Sequence, residues 1–314
     1  METQGEVTVS EIDRRLAAMP TVRFSSRGGS GEAVAGLDPQ WLARLADDFD
    51  SIVRDNLRRP IKLTHAAVVV VAQSQVDGQT VRLVVKRNRP RSLKKRLFAV
   101  FRRSRSKEAF YRAREVIRRS VPTPAPIFWY QSYRTSVKSE SYTAFRYVDD
   151  FLNLHLFIRR IASCPPARRE RLTSAALHAA GRTAAKMHRA GILNRDLKGA
   201  NIIVGTAGQG ALKDWDIANA APGDAAQAML IDLDGCRFSS SMVTCDTAGR
   251  LKNLTRLAVG MSQHAWMTAR SMRAFLEGYT SVIPDPNLAD LWRELAVRVP
   301  KEIERRKATG EELF

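Results

Sequence analysis

The chain has 314 residues, 44% of them hydrophobic, and its formal net charge is +19. Its apolar content excludes a wholly disordered or fibrous chain, and its length suits one large domain or two lobes. The positive charge favours a partner rich in phosphate or other anions. Three cysteines without CxxC spacing predict reduced thiols, not a disulfide framework or a zinc site. No apolar leader or long apolar run is present, so we expect a cytoplasmic protein.

The first part of the chain begins irregularly and then becomes periodic. Residues 1–36 mix Ser, Gly and charge, and we expect them to form a flexible N-terminal arm. An N-cap at Asp38 and apolar residues at helical spacing predict a helix near 39–58. Two valine-rich runs, 66–72 and 81–86, flank turn residues and predict a β-hairpin.

The remaining elements divide the chain into two lobes. A helix is predicted over about 106–119, and strands around 126–131 and 141–148. From about 150 onward the apolar spacing is mainly helical. A strand-rich part followed by a helix-rich part predicts an α+β protein with an N-lobe over 37–148 and a C-lobe over 149–314.

The most informative run is GILNRDLKGANIIV at 191–204. Asp196, Lys198 and Asn201 suit phosphoryl transfer, since a carboxylate can accept a hydroxyl proton, a cation can face the γ-phosphate and an amide oxygen can hold magnesium. The run resembles the catalytic loop of the protein-kinase-like fold. The alternative interpretation is an ordinary charged loop between a helix and a strand.

Further matches occur in the order that kinases show. Lys86 ends a valine strand and resembles the lysine that bridges the α- and β-phosphates. Glu108, at the start of the next helix, is similar to the glutamate that pairs with that lysine, and Glu115 is the alternative.

The metal-binding acid has two candidates. Asp232 follows an apolar strand in MLIDLDG at 229–235, as the magnesium-binding element of kinases requires. Asp214 lies thirteen residues after Asn201, a spacing common in protein kinases, but Lys213 directly precedes it. We favour Asp232, with 205–226 as an inserted hairpin or loop.

The C-terminal half resembles one particular family. The runs RLKNLTRL at 250–257 and RAFLEGY at 273–279 resemble the tail of the bacterial lipopolysaccharide kinases of the Kdo/WaaP type, and the resemblance spans roughly 60–280. It implies a bilobal protein-kinase-like fold, with a small antiparallel sheet in the N-lobe and a mainly helical C-lobe. It also implies ATP-dependent phosphorylation of an inner-core sugar on lipid A, at the cytoplasmic face of the inner membrane.

The resemblance assigns roles to individual residues. Asp196 and Lys198 are implied to be catalytic, and Asn201 and Asp232 to bind Mg²⁺. The residues implied to bind ATP are Lys86, Glu108, Lys62 and Tyr147.

Two departures leave other functions open. Asn194 stands where kinases have the histidine of HRD, and no GxGxxG precedes Lys86, so that backbone amides near 59–65 or Lys62 would have to hold the phosphates. The alternatives are a kinase-fold protein that phosphorylates a protein side chain and a catalytically silent module that binds a nucleotide or a partner.

Basic residues are concentrated in one segment. Residues 82–119 hold sixteen Lys or Arg and two glutamates. In the run KKRLFAVFRR at 94–103, cations lie on both sides of two phenylalanines. This pattern is typical of contact with an anionic membrane. RNA binding through the same cations and aromatic rings is a weaker alternative.

Overall fold

The computed structural model describes residues 11–26, 28–48, 60–63, 67–88, 104–134, 137–205, 226–264 and 267–311. These residues form two compact units. The sheet unit comprises Ser10–Arg118 and Pro124–Val148, and the helical unit comprises Arg119–Thr123 and most of the chain from Asp149 onward. The predicted α+β organisation, with an antiparallel sheet in the N-terminal part and helices in the C-terminal part, is confirmed.

The sheet unit contains a seven-stranded antiparallel sheet of order β1-β2-β6-β7-β5-β4-β3. Its elements are α1 (Glu11–Ala18), β1 (Thr21–Ser26), β2 (Gly29–Val34), α2 (Pro39–Asp47), β3 (Pro60–Leu63), β4 (Ala67–Val76), β5 (Gln79–Asn88), α3 (Arg105–Arg118), β6 (Pro126–Arg134) and β7 (Val137–Arg146). Asp38 accepts a hydrogen bond from the Gln40 amide at 2.9 Å and caps α2 as predicted.

Helix α3 covers the face of the sheet that carries Lys86. Cross-strand partners share a face of an antiparallel sheet, and Glu32, Trp129, Thr143 and Lys86 are successive partners on β2, β6, β7 and β5. Helix α3 contacts this face, because the Tyr111 hydroxyl donates a hydrogen bond to Glu32. Lys86 and α3 therefore lie on the same face of the sheet.

Part of the predicted flexible arm is folded in this structure. Residues 11–34 form α1, β1 and β2, and β2 pairs with β6. Asp13 is fully buried and binds both the Arg146 guanidinium and the Ala125 amide. A Cβ on Gly31 would lie 2.1 Å from the Trp129 carbonyl oxygen. The glycines that indicated flexibility thus permit a close approach of two strands.

The helical unit contains two small sheets among helices. Its elements are β8 (Leu152–Asn153), α4 (Leu154–Arg160), α5 (Pro166–Arg189), β9 (Ile192–Asn194), β10 (Ile202–Gly205), β11 (Gln227–Leu230), β12 (Cys236–Phe238), α6 (Thr247–Met261), α7 (Ala269–Thr280) and α8 (Leu288–Thr309). One sheet has the order β11-β10-β8, and β9 pairs with β12 in the other. Within the described ranges, no helix combines the length and apolar character needed to cross a bilayer.

Candidate active site

The loop after β9 brings three of the predicted residues together. Asn201 Nδ2 donates hydrogen bonds to the Asp196 carboxylate at 3.0 Å and to the Asp196 carbonyl oxygen at 2.9 Å. Lys198 Nζ lies 3.2 Å from the other carboxylate oxygen of Asp196. The side chain of Asp196 remains half exposed. A carboxylate held from two sides and open to solvent can receive a proton from an incoming hydroxyl group.

Strand pairing brings Asp232 to the same place. Strands β10 and β11 are antiparallel with Ile202 opposite Leu230, and the Ile231 amide donates to the Asn201 carbonyl oxygen at 2.9 Å. Asp232 follows directly, with a left-handed backbone at φ 56°. Such a conformation is uncommon for a residue other than glycine and is often found at functional sites. The rival candidate Asp214 lies outside the described residues.

The donors at this point suit a hard divalent cation. The Asn201 amide nitrogen is bound to Asp196, so that its carbonyl Oδ1 is the atom left for a metal, and Asp232 adds a carboxylate. Among the described residues, no group of three His, Cys, Asp or Glu could hold a metal ion. Magnesium in phosphotransferases needs only one or two protein ligands besides phosphate oxygens and water, so the residues present fit Mg²⁺.

Asn194 shapes the backbone of the loop. It is fully buried, and its Oδ1 accepts a hydrogen bond from the Asp196 amide at 2.9 Å. Its Nδ2 has no hydrogen-bond partner among the residues that the structure describes. Gly235, which directly precedes β12, lies close by, and a Cβ on it would lie 2.4 Å from Asn194 Oδ1. The position after Asp234 therefore has room only for glycine.

Helices α6 and α7 support the loop from behind. Asn253 Oδ1 accepts hydrogen bonds from the Asn194 amide at 2.9 Å and from His188 Nε2 at 3.3 Å. The Tyr279 hydroxyl donates to His188 Nδ1 at 2.9 Å. Arg256 donates to the Arg195 carbonyl oxygen at 2.7 Å. Residues of the RLKNLTRL and RAFLEGY runs thus hold the loop in place. The sequence showed that these runs are distinctive, but it did not show this role.

Burial keeps this network neutral. It lowers the pKa of His188 to about 4 and raises the pKa of Tyr279 to about 12. His188 is therefore an uncharged imidazole whose Nε2–H faces Asn253. Neutral hydrogen bonds of this kind position a loop without adding charge to it.

The sheet unit carries the predicted nucleotide residues. Lys86 is half-buried in β5, on the face that α3 covers. Glu108 forms its ion pair with Arg112 at 3.2 Å, and the predicted pair between Glu108 and Lys86 is not present between these two described residues. Glu115 binds Arg118 at 2.7 Å.

The other predicted nucleotide residues, Tyr147 and Lys62, lie on different strands of the sheet unit or directly after one. Tyr147 follows β7, and the Arg82 guanidinium lies 4.4 Å from its ring centroid. Lys62 pairs with Val69 between β3 and β4. The basic segment 94–103 lies outside the described residues.

This chain is similar to a known protein family in sequence and to solved structures in fold. The model of the lipopolysaccharide kinase (Kdo/WaaP) family matches residues 62–279, more than half of the chain. No curated protein sequence matches the chain significantly. Among solved structures, WaaP in complex with acyl carrier protein is 18% identical, with a TM-score of 0.48, over 84% of this chain and 96% of that chain. The BubR1 kinase domain is 11% identical, with a TM-score of 0.42, over 90% and 84% of the two chains.

Proposed function

Since this chain belongs to the lipopolysaccharide kinase (Kdo/WaaP) family and is a phosphotransferase, we propose that it transfers the γ-phosphoryl group of ATP to a sugar hydroxyl of the lipopolysaccharide inner core. We place this reaction at the cytoplasmic face of the inner membrane. The observation that carries the proposal is the contact of Asp196 with both Asn201 and Lys198, next to Asp232.

Asp196 is the general base in this proposal. Its carboxylate accepts the proton of the acceptor hydroxyl as that oxygen attacks phosphorus. Asn201 and Lys198 hold the carboxylate in one orientation through the contacts at 3.0 and 3.2 Å. Lys198 also offers its ammonium group to the negative charge of the transferred phosphoryl group.

Asn201 Oδ1 and Asp232 hold Mg²⁺ in this proposal. The bound ion would neutralise charge on the β- and γ-phosphates and orient them. Lys86 contacts the α- and β-phosphates, with Lys62 and Tyr147 as further nucleotide contacts. Glu108, which is bound to Arg112 in this structure, is the residue that would align Lys86.

Two variants with one matched control test these roles. Asp196→Asn should lower kcat for lipopolysaccharide-dependent ATP consumption by about a thousandfold, since it removes the base. Asp232→Asn should abolish the Mg²⁺-dependent rise in melting temperature with ATP, because ligand binding to the native state stabilises it. Asp234→Asn, which removes an exposed acid two residues away, should leave that rise intact. Wild-type turnover in Asp196→Asn would contradict the proposal.

Asn194 favours a second candidate, a module that binds nucleotide without catalysis, because kinases have a histidine at its position. The same measurements separate the two. A module of this kind shows the thermal shift with ATP and Mg²⁺ but consumes no ATP in the presence of acceptor. A catalyst shows both, and loses only the second in Asp196→Asn.

A further inference from the structure

Helix α4 has one buried face and one exposed face of unusual composition. Leu154, Phe157 and Ile158 are buried against the helical unit. Leu156, Arg159 and Arg160 are exposed, and their i, i+3, i+4 spacing places them side by side on the helix surface. The side chain of Leu156 is an exposed large apolar group, with 50% of its surface accessible.

The start of α5 continues this surface. Arg169 donates a hydrogen bond to the Ala162 carbonyl oxygen at 3.1 Å and joins the start of α5 to the turn that follows α4. Arg168 and Arg171 are exposed and lie one turn apart. Residues 154–172 hold five arginines and one glutamate. We call Leu156, Arg159, Arg160, Arg168 and Arg171 the arginine face.

Helix α4, which carries three residues of the arginine face, lies directly against the candidate catalytic loop. His155, on α4, points its Nε2 at Gly199, where a Cβ would lie only 2.9 Å away. Gly199 stands between Lys198 and Asn201. One packing contact therefore separates α4 from the loop that carries these residues.

We propose that the arginine face binds the anionic headgroups of a phospholipid bilayer, with Leu156 inserted between them. All five cations of the segment are arginines, whose planar guanidinium groups match phosphate oxygens with two parallel hydrogen bonds. Each arginine near an anionic leaflet contributes about 1 kcal/mol to binding, and an exposed leucine among them can enter the interface. Binding would hold the catalytic loop at the bilayer surface, where a lipid-linked acceptor is concentrated. Only this last consequence rests on the proposed function.

Vesicle binding of the full chain tests the proposal. The wild-type protein should co-sediment with phosphatidylcholine vesicles that contain about a third phosphatidylglycerol, and not with phosphatidylcholine alone. Arg159→Gln/Arg160→Gln should lower the partition coefficient about 25-fold, at about fivefold for each arginine. Leu156→Ser should lower it severalfold. All of these substitutions are at exposed positions, so the melting temperature should stay within about 2 °C of the wild type.

A charge-matched control separates a specific face from net charge. Arg14→Gln/Arg23→Gln removes two exposed arginines of the sheet unit and should change the partition coefficient less than about twofold. Equal losses in the two double variants would overturn the proposal, as would wild-type binding by Arg159→Gln/Arg160→Gln. Equal binding to neutral and anionic vesicles would also overturn it. So would a failure to bind anionic vesicles, and an acidic protein would then be the partner to seek. Asp196→Asn should bind vesicles as the wild type does. Vesicle binding therefore tests the arginine face independently of the proposed catalysis.

Discussion

Replacing Asn253 by alanine tests whether α6 positions the catalytic loop. Asn253 is 4% exposed, and its Oδ1 accepts hydrogen bonds from the fully buried Asn194 amide and from His188 Nε2. Alanine leaves both donors without a partner in a site that water does not reach. Each unsatisfied buried donor costs about 1–3 kcal/mol, so the free energy of unfolding should fall by about 2–6 kcal/mol.

Urea denaturation at neutral pH measures this loss, and steady-state kinetics measure its effect on the loop. Since Asn253 touches no reacting atom, Asn253→Ala should lower kcat, because Asp196 loses its fixed position, and should change the KM for ATP little. Asn253→Asp keeps the accepting oxygen and should recover most of kcat. A stability loss below about 0.5 kcal/mol, or equal losses of kcat in the two variants, would refute this reasoning.

Three further predictions concern other buried groups. The pKa of His188 is about 4 in the folded chain and about 6.5 in the unfolded chain, so unfolding takes up a proton between these pH values. The free energy of unfolding, measured by urea titration, should therefore be at its full value above pH 6.5 and lower by about 3 kcal/mol at pH 4. In His188→Gln it should fall less over the same pH range. Asp13→Ala removes the buried partner of Arg146 and should lower the free energy of unfolding by about 3–5 kcal/mol. A loss below about 1 kcal/mol would mean that residues 11–34 contribute little to the stability of the fold. Gly235→Ala forces a Cβ to within 2.4 Å of Asn194 Oδ1 and should destabilise the chain by about 1–3 kcal/mol and lower kcat; wild-type kcat would contradict the close contact.

The sequence could indicate which residues of the candidate catalytic loop lie together, because their contacts are local. Asp196, Lys198 and Asn201 lie within six consecutive residues, so one loop conformation sets their distances. The placement of Asp232 needed more than the sequence, since the Ile231–Asn201 hydrogen bond depends on the pairing of β10 with β11. An apolar run indicates a strand but not its partner or its register.

The N-terminal segment could not be predicted because its stabilising contacts are distant. Asp13 binds Arg146, 133 residues further along the chain, and the Gly31 backbone lies against that of Trp129. No local periodicity encodes such pairs. Glycine and serine, which indicate a linker by composition, here allow two strands to come together.

The ion-pair partner of Glu108 could also not be predicted from the sequence. Helix α3 carries Glu108, Arg112 and Glu115 at i, i+4 and i+7, along one stripe. A glutamate on such a helix has cations within its own turn as well as Lys86 on the sheet. In this structure the nearer partner, Arg112, is bound, as expected when an i, i+4 pair requires no movement of the backbone.

The geometry around Asn194 bears on whether the absent HRD histidine disables the loop. Asn194 Oδ1 binds the amide two residues on, which is the local turn that asparagine side chains form readily. The imidazole behind the loop comes instead from His188 on α5, joined to the loop backbone through Asn253. The loop conformation thus depends on an asparagine turn together with supports from α6 and α7, and a histidine at position 194 is not required for it. The departure from the kinase pattern is therefore compatible with catalysis. Because Asn253 links the loop backbone to His188, replacing Asn253 tests the support of the loop more directly than replacing Asn194.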